Sequence, residues 1–408
     1  MPHFESYARV CEYMDNLGLF SMDMGLGRME SFWERRGAPG VPVVHVVGTN
    51  GKGSTSTFLE SIARENGVRT GLFTSPHLVT PRERVRICGR MLEPEDWTRL
   101  ANMVLATPGG ADLTYFEFQT CLAMLAFMDA GVDLAIMEAG LGGRYDATNV
   151  FAPGLTLFTP VGMDHEAVLG STLEAIARDK AGAMHAGGTA ITGPQEPEAL
   201  AVLEEQARAV GATLLHASDL IGLVPGTLGL RGPHQQDNAR LALSGWQIAA
   251  EMFGRDSDPE AVAAGLAQAF IPGRFHCVRP DGLPDIVLDG AHNLHAFKAL
   301  AHTLEQEGVR PQAVVFACMA DKDISSMVPL LRSMSDGPIL CPAMPWERAA
   351  RPVDLVKVLG GKAEATDGMA TALQRVADLP GPVLVCGSLY LLAAFYELYP
   401  EFLSRNSR

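Results

Sequence analysis

The sequence predicts an α/β fold in two domains, a larger N-terminal one on a mostly parallel sheet and a smaller α/β one behind it. Three observations predict it. Short apolar runs alternate with amphipathic segments along almost all of the 408 residues, the pattern of a parallel sheet covered by helices on both faces. A glycine-rich loop joins the first of these runs to a helix-like stretch. The turn-rich stretches at 270–274 and 280–284 interrupt the alternation, which restarts at Asp285 for about 130 residues, enough for one small doubly wound domain. The expected domains are therefore 1–275 and 276–408.

Buried strands are expected at 43–47, 134–137, 155–159, 190–192, 286–288, 313–318, 339–342 and 383–386. Each is followed within three residues by Gly, Asp or Pro, and such strand ends are where an open α/β sheet places its ligands. Gly 42 and Pro 26 make up about a sixth of the chain, many loops but no low-complexity tail. Hydrophobic residues at 47% are ample for full cores.

Charge excludes one class of partner. Lys+Arg 32 against Asp+Glu 47 leaves a formal −15, and no cluster of basic residues free of interleaved acids could release counterions from a duplex, so no nucleic acid is expected. The seven cysteines are scattered and form no Cys-x-x-Cys pair, which reads as reduced chemistry with thiols serving as small core hydrophobes. The best uncharged candidate for a membrane span, 379–396, is broken by Pro380, Pro382 and Gly387, and residues 1–9 lack the apolar run of a signal peptide. The expectation is a cytoplasmic monomer without a membrane partner.

The strongest local signal is Gly48-Thr49-Asn50-Gly51-Lys52-Gly53-Ser54-Thr55, which leads from the strand 43–47 into a helix expected over 56–66. Glycines let successive backbone N–H groups turn toward phosphate oxygens, Lys52 supplies a point charge, and Ser54 or Thr55 can reach a metal ion. The helix adds its positive N-terminal end. The loop departs from the common Walker A form, with Val46 in place of the first glycine and Gly53 between the lysine and the hydroxyls.

That variant resembles the ATP loop of the Mur ligase superfamily, and specifically of folylpolyglutamate synthases and dihydrofolate synthases. Further motifs, from Met22 to Tyr390, follow in the family's order. The resemblance implies a P-loop-type N-terminal domain, a Rossmann-like C-terminal domain, and ATP held by Asn50, Gly51, Lys52, Gly53, Ser54 and Thr55. Gly71-Leu72-Phe73-Thr74-Ser75-Pro76-His77-Leu78, a Pro-broken loop and an ordinary turn when taken alone, matches the family loop whose serine binds Mg²⁺, here Ser75; Arg82-Glu83-Arg84 matches the segment behind it. Glu138 ends a buried strand before Gly140, Gly142 and Gly143. A carboxylate there is costly without a cation, and the glycines leave room for a ligand to approach. It reads either as a turn-capping acid or, by the resemblance, as a second Mg²⁺ ligand. Asp164-His165 ahead of Leu169-Gly170-Ser171-Thr172 matches the third, His165. Two Mg²⁺ ions are implied, and the imidazole suggests that Mn²⁺ can substitute. Lys180 reads as a solvated helix lysine, whereas the family carries a carbamylated lysine there, a cation turned into a carboxylate.

Asp237 and Asn238 read as caps of a helix expected over 239–251; the resemblance assigns Asn238 to the nucleotide. Arg274, in Pro272-Gly273-Arg274, matches a phosphate clamp. Asp289-Gly290-Ala291-His292-Asn293 matches the motif in which the aspartate serves the nucleotide and incoming amine and the histidine serves the amino acid. His292-x-x-His295 lacks further ligands for zinc. Ser388, in Gly387-Ser388-Leu389-Tyr390, matches a contact to the glutamate carboxylate.

Mur ligases for cell-wall peptides share the loop and the domain order, so the pterin end discriminates. Asp23-Met24-Gly25-Leu26-Gly27-Arg28 resembles the family's pterin stretch and offers Gly25 and Arg28; Thr114-Tyr115-Phe116-Glu117 offers Phe116 for stacking and Glu117. Gly143-Arg144-Tyr145-Asp146-Ala147-Thr148-Asn149 resembles the form found in enzymes that also make dihydrofolate, and offers Arg144 and Asp146. The resemblance implies ATP-driven addition of L-glutamate to dihydropteroate or folate through an acyl phosphate, with Lys52, Lys180, Asp289 and His292 catalytic. With ATP on one domain and glutamate on the other, closure would precede chemistry. A monofunctional folylpolyglutamate synthase and a Mur-type peptidoglycan precursor ligase are the alternatives. A GTPase switch is excluded by the lack of any Asn-Lys pair for guanine.

Overall fold

The computed structural model describes residues 3–18, 25–346 and 348–404. They form two compact units, Met1–Gly229 with Gln236–Ala269, and Leu230–Gln235 with Phe270–Arg408. Each unit is a mostly parallel α/β sheet.

The first unit holds eight strands: β1 (Val43–Val47), β2 (Thr70–Phe73), β3 (Val85–Ile87), β4 (Arg90–Met91), β5 (Leu134–Glu138), β6 (Leu155–Phe158), β7 (Thr189–Thr192) and β8 (Thr213–His216). Their order is β4-β3-β2-β5-β1-β6-β7-β8, antiparallel only where β3 meets β2 and β4. β1 lies between β5 and β6, with Val46 beside Glu138 and Val47 beside Phe158. The carboxyl ends of three central strands therefore stand side by side, the edge where a parallel sheet gathers its chemistry.

Helices bury both faces. Helix Tyr115–Ala130 is apolar nearly all round, as expected of a helix enclosed on every side, and with Tyr7–Leu17, Gly27–Arg36 and Pro94–Ala106 it closes a core around Phe73, Phe118, Trp97 and Met137. A second cluster sets Val47, Phe158 and Ala190 against Ile176, Ala177 and Leu203. Helix Pro259–Gln268 lies against Lys52–Glu65. Gly265 allows that approach, since a Cβ there would stand 2.6 Å from Ile62 Cα.

The second unit has β9 (His276–Val278), β10 (Ile286–Asp289), β11 (Ala313–Phe316), β12 (Ile339–Pro342), β13 (Ala363–Thr366) and β14 (Val383–Cys386), in the order β13-β12-β11-β14-β10-β9. Only β9 runs antiparallel. Its core sets Phe297, Leu300 and Leu331 against Val314, Phe316 and Leu384.

All eight expected strands are present, but several expectations need correction. The helix after the glycine loop begins at Lys52, not residue 56, because the loop closes on Gly51 at φ 91° and leaves Lys52 free to enter the helix. Residues 71–73 are not loop but part of β2, seated beside β5. The helix expected at 239 begins at His234, so Asp237 and Asn238 sit in its first turn rather than ahead of it. Only four of the seven free thiols are buried; Cys277 is exposed, on the strand at the sheet edge. Among the described residues no helix is long and apolar enough to cross a membrane.

Candidate active site

The glycine loop is pinned from the neighbouring strand. Thr49 N–H donates to Pro160 O at 3.0 Å, Thr49 Oγ1 donates to Gly162 O at 3.0 Å and accepts from Gly162 N–H at 3.0 Å. A Cβ on Gly48 would fall 1.9 Å from Thr159 Oγ1, so this position needs glycine. At Gly51 a Cβ would meet Asn238 Oδ1 at 2.3 Å. Asn238, predicted to serve the nucleotide, therefore lies on the loop.

Two lysines converge on one carbonyl. Gly48 O accepts from Lys52 Nζ at 3.1 Å and from Lys180 Nζ at 3.0 Å, and Lys52 also donates to Thr49 O at 3.2 Å. Lys180 is not the solvated lysine its helix suggested: it is 4% exposed. Burial, with the Lys52 charge added, pushes its pKa down to about 7. An amine that is neutral in about half of the molecules at pH 7 is a nucleophile.

Glu138 is buried at the end of β5, and its Oε2 accepts the Ser75 N–H at 3.0 Å. Two predicted metal ligands thus meet. The Ser75 loop is held by the Arg82-Glu83-Arg84 segment: Glu83 accepts N–H bonds from Leu78, Val79 and Thr80 at 2.7–2.9 Å, and Arg84 Nε donates to His77 Nδ1 at 2.8 Å. Burial, then the Arg84 charge, lowers the His77 pKa to about 3, so the imidazole stays a neutral acceptor. His165 stands at the start of helix Glu166–Leu169 with φ 52° and about half its side chain exposed. Among the described residues no three His, Cys, Asp or Glu side chains gather as a metal cluster. The donors on this edge are instead oxygens. Thr55, fully buried in the first turn of helix Lys52–Glu65, has a hydroxyl with no hydrogen-bond partner. Carboxylate and hydroxyl oxygens, one of them orphaned, fit a hard divalent cation.

The room expected around the glycines after β5 is filled by the chain itself. A Cβ on Gly140 would strike the Phe116 ring at 2.6 Å, one on Gly142 the Asp179 carboxylate at 2.2 Å, and one on Gly143 the Lys180 backbone at 2.6 Å. These glycines seat the Lys180 helix and the Phe116 ring. Arg28 and Glu117 pair with each other, Nε to Oε2 at 2.9 Å and Nη2 to Oε1 at 3.0 Å. Glu117 also closes a capping box with Thr114, a Thr-x-x-Glu signature the sequence reading passed over. Phe116 and Phe73 stand 5.6 Å apart between ring centres. Gly25 faces open space, Arg144 is exposed, and Asp146 is buried, accepting from Leu141 N and from Thr148. Asp23 and Met24 lie outside the described residues.

In the second unit the loops after β10 and β14 are joined by Gly387 N–H to Ala291 O at 2.9 Å. Asp289 accepts from Phe275 N and Ala291 N, both at 2.9 Å. Burial raises its pKa and the Arg274 charge opposes that. His292 Nδ1 donates to Gly290 O at 2.8 Å, which fixes the tautomer with Nε2 as acceptor. The Ser388 hydroxyl accepts the Tyr390 N–H at 3.1 Å and caps helix Leu389–Leu398. Asp289, His292 and Ser388 are thus gathered on one sheet edge, while Asp289 and Ser388 also hold backbone.

A family model described as Mur ligase, glutamate ligase domain, matches residues 273–389. The dihydrofolate synthase/folylpolyglutamate synthase of Bacillus subtilis is 33% identical, over 96% of this chain and 98% of its own length. Escherichia coli FolC in complex with DHPP and ADP superposes with a TM-score of 0.87 at 31% identity, over 99% of this chain and 100% of that one. The bifunctional enzyme of Yersinia pestis, complexed with AMPPNP and Mn ion, gives 0.86 at 30%, over 98% and 100%.

Proposed function

The chain belongs to the folylpolyglutamate synthase and dihydrofolate synthase family of the Mur ligase superfamily, and from that premise we propose how its own residues carry out ATP-dependent ligation of L-glutamate to a dihydropteroate or folate carboxylate. The observation that carries the reading is the edge formed by β5, β1 and β6, where the glycine loop, Lys52, Lys180 and the Glu138–Ser75 pair stand together.

ATP binds over residues 50–55, its phosphates taken by loop N–H groups and the end of helix Lys52–Glu65. Asn238, already on Gly51, orients the nucleotide. Lys52 gives up its loop carbonyls for the phosphates. Ser75, Glu138 and Thr55, with His165 beyond β6, would hold the divalent ions, which supply charge neutralisation for the transferring phosphoryl group. The acceptor carboxylate attacks the γ-phosphate, ADP leaves, and the resulting acyl phosphate is open to an amine. Arg28, Glu117, Phe116, Arg144, Asp146 and Gly25 bind the acceptor's ring. In the segment 276–408 His292, with Nε2 as acceptor, and Ser388 receive glutamate and Asp289 orients the Ala291 backbone; just ahead of that segment, Asp289 also orients the Phe275 backbone and Arg274 serves as phosphate clamp. The amine displaces phosphate through a tetrahedral intermediate, leaving an amide.

Lys52→Ala and Glu138→Ala are expected to abolish turnover while each protein melts as a folded chain. Full ligase turnover by both would refute the assignment.

A further inference from the structure

β1 reads Val-Val-His-Val-Val, and His45 is its one polar residue, 0% exposed in the middle of the sheet. Its Nε2 lies 2.7 Å from Thr148 Oγ1, and Thr148 Oγ1 lies 2.5 Å from Asp146 Oδ1. The same Asp146 oxygen accepts the Thr148 N–H at 3.0 Å, and Oδ2 accepts the Leu141 N–H at 2.9 Å. The hydroxyl has one proton. Burial raises the Asp146 pKa, but the Thr148 hydroxyl and the backbone N–H groups of Leu141 and Thr148 favour the ionised form; as a carboxylate it can only accept, so Thr148 donates to Asp146 and itself accepts from His45 Nε2–H. That settles the tautomer and leaves Nδ1 as a bare lone pair, and Nδ1 is buried with no partner. Burial, with His185 adding to it, holds the imidazole pKa near 3, so it does not take up a proton there.

A valine or leucine in this strand would fill the space without an orphaned nitrogen. What histidine adds is an N–H that turns the Thr148 hydroxyl toward Asp146. His185 also holds this segment, 2.9 Å from Asn149 Oδ1, while Asn149 Nδ2 donates to Arg144 O at 3.0 Å. Leu141, which holds the second carboxylate oxygen, follows Gly140, on which the Phe116 ring rests.

We propose that His45 is a positioning residue for acceptor recognition: through Thr148 it locks the Asp146 carboxylate in one orientation, as an acceptor for the ring N–H and amine donors of a pterin. The inference rests on the reading of Asp146 as an acceptor-binding residue, and the experiment separates the two.

Steady-state kinetics are measured with ATP, glutamate and dihydropteroate, varying each in turn, on His45→Leu, Thr148→Val, the double variant, His45→Gln and Asp146→Asn. Losing a hydrogen bond in a chain that ends on a charge should raise the dihydropteroate KM of His45→Leu and Thr148→Val roughly tenfold, with KM for ATP and glutamate unchanged. The double variant should be no worse than Thr148→Val alone, because His45 acts only through that hydroxyl. His45→Gln, whose amide N–H can reach the same hydroxyl, should recover to within about threefold of the parent. Should His45→Leu fail to fold, Thr148→Val and His45→Gln carry the test. An unchanged dihydropteroate KM in His45→Leu or Thr148→Val, a rise shared equally with ATP, or additive losses in the double variant would overturn the relay while Asp146→Asn remains impaired. An unimpaired Asp146→Asn would overturn the reading of Asp146, and the relay with it.

Discussion

Lys180 offers the sharpest perturbation. A lysine titrating near its ordinary 10.5 is neutral in about one molecule in three thousand at pH 7. With its pKa pushed to about 7, Lys180 is neutral in about half of them, roughly a thousandfold more amine available to add CO₂. The carbamate would replace a cation crowding Lys52 by a carboxylate beside Gly48 O. The same numbers give a stability effect. The folded state disfavours the charged amine by roughly 5 kcal/mol, in full below pH 7. Because the folded pKa is the lower one, the penalty fades as pH rises from 7 toward 10.5. Lys180→Met should therefore be more stable than the parent in CO₂-free buffer at pH 6, with a gain that shrinks toward pH 10, yet nearly inactive. Enzyme equilibrated with ¹³C-bicarbonate should show one carbamate carbonyl resonance that is missing from Lys180→Met, and stripping CO₂ should lower turnover. Full turnover after CO₂ removal, with no carbamate resonance, would refute the reasoning.

Two other substitutions probe the frame of the site. Gly51→Ala places a methyl 2.3 Å from Asn238 Oδ1 on a backbone at φ 91°, so ATP KM should rise at least about tenfold and stability fall by about 1–2 kcal/mol, read by kinetics and melting. Arg28→Ala strips the partner from a buried Glu117 and should cost about 1–3 kcal/mol as well as raise the acceptor KM, while Glu117→Gln added to it should recover part of the stability.

Much of this was legible in the sequence because a central parallel strand is buried on both faces and reads as a continuous apolar run. That is why 43–47, 134–137 and 383–386 were clear. The strands passed over are mostly edges or near edges. β13, Ala-Glu-Ala-Thr, has its two middle residues exposed, β8 is only half-buried, and β3 and β4 carry arginines, so none shows a long apolar run. The site was legible as motifs, but the motifs did not say what each residue touches. Gly140, Gly142 and Gly143 looked like space for a ligand and instead admit Phe116, Asp179 and the Lys180 backbone. Lys180 looked solvated because its helix carries Arg178 and Asp179, whereas its burial comes from contacts more than a hundred residues away at Gly48. His45 carried no signal at all, since a single histidine in an apolar strand declares no partner until Thr148 is folded against it.

This acidic chain uses ATP to join glutamate to a pterin acid. ADP release should be followed with ATP, Mg²⁺ and L-glutamate, offering dihydropteroate, tetrahydrofolate or a UDP-muramoyl peptide as acceptor. Glutamate-dependent ADP release is expected with at least one of the two pterin acceptors and none with the muramoyl peptide. Release with the muramoyl peptide alone, or with no acceptor of the three, would contradict it.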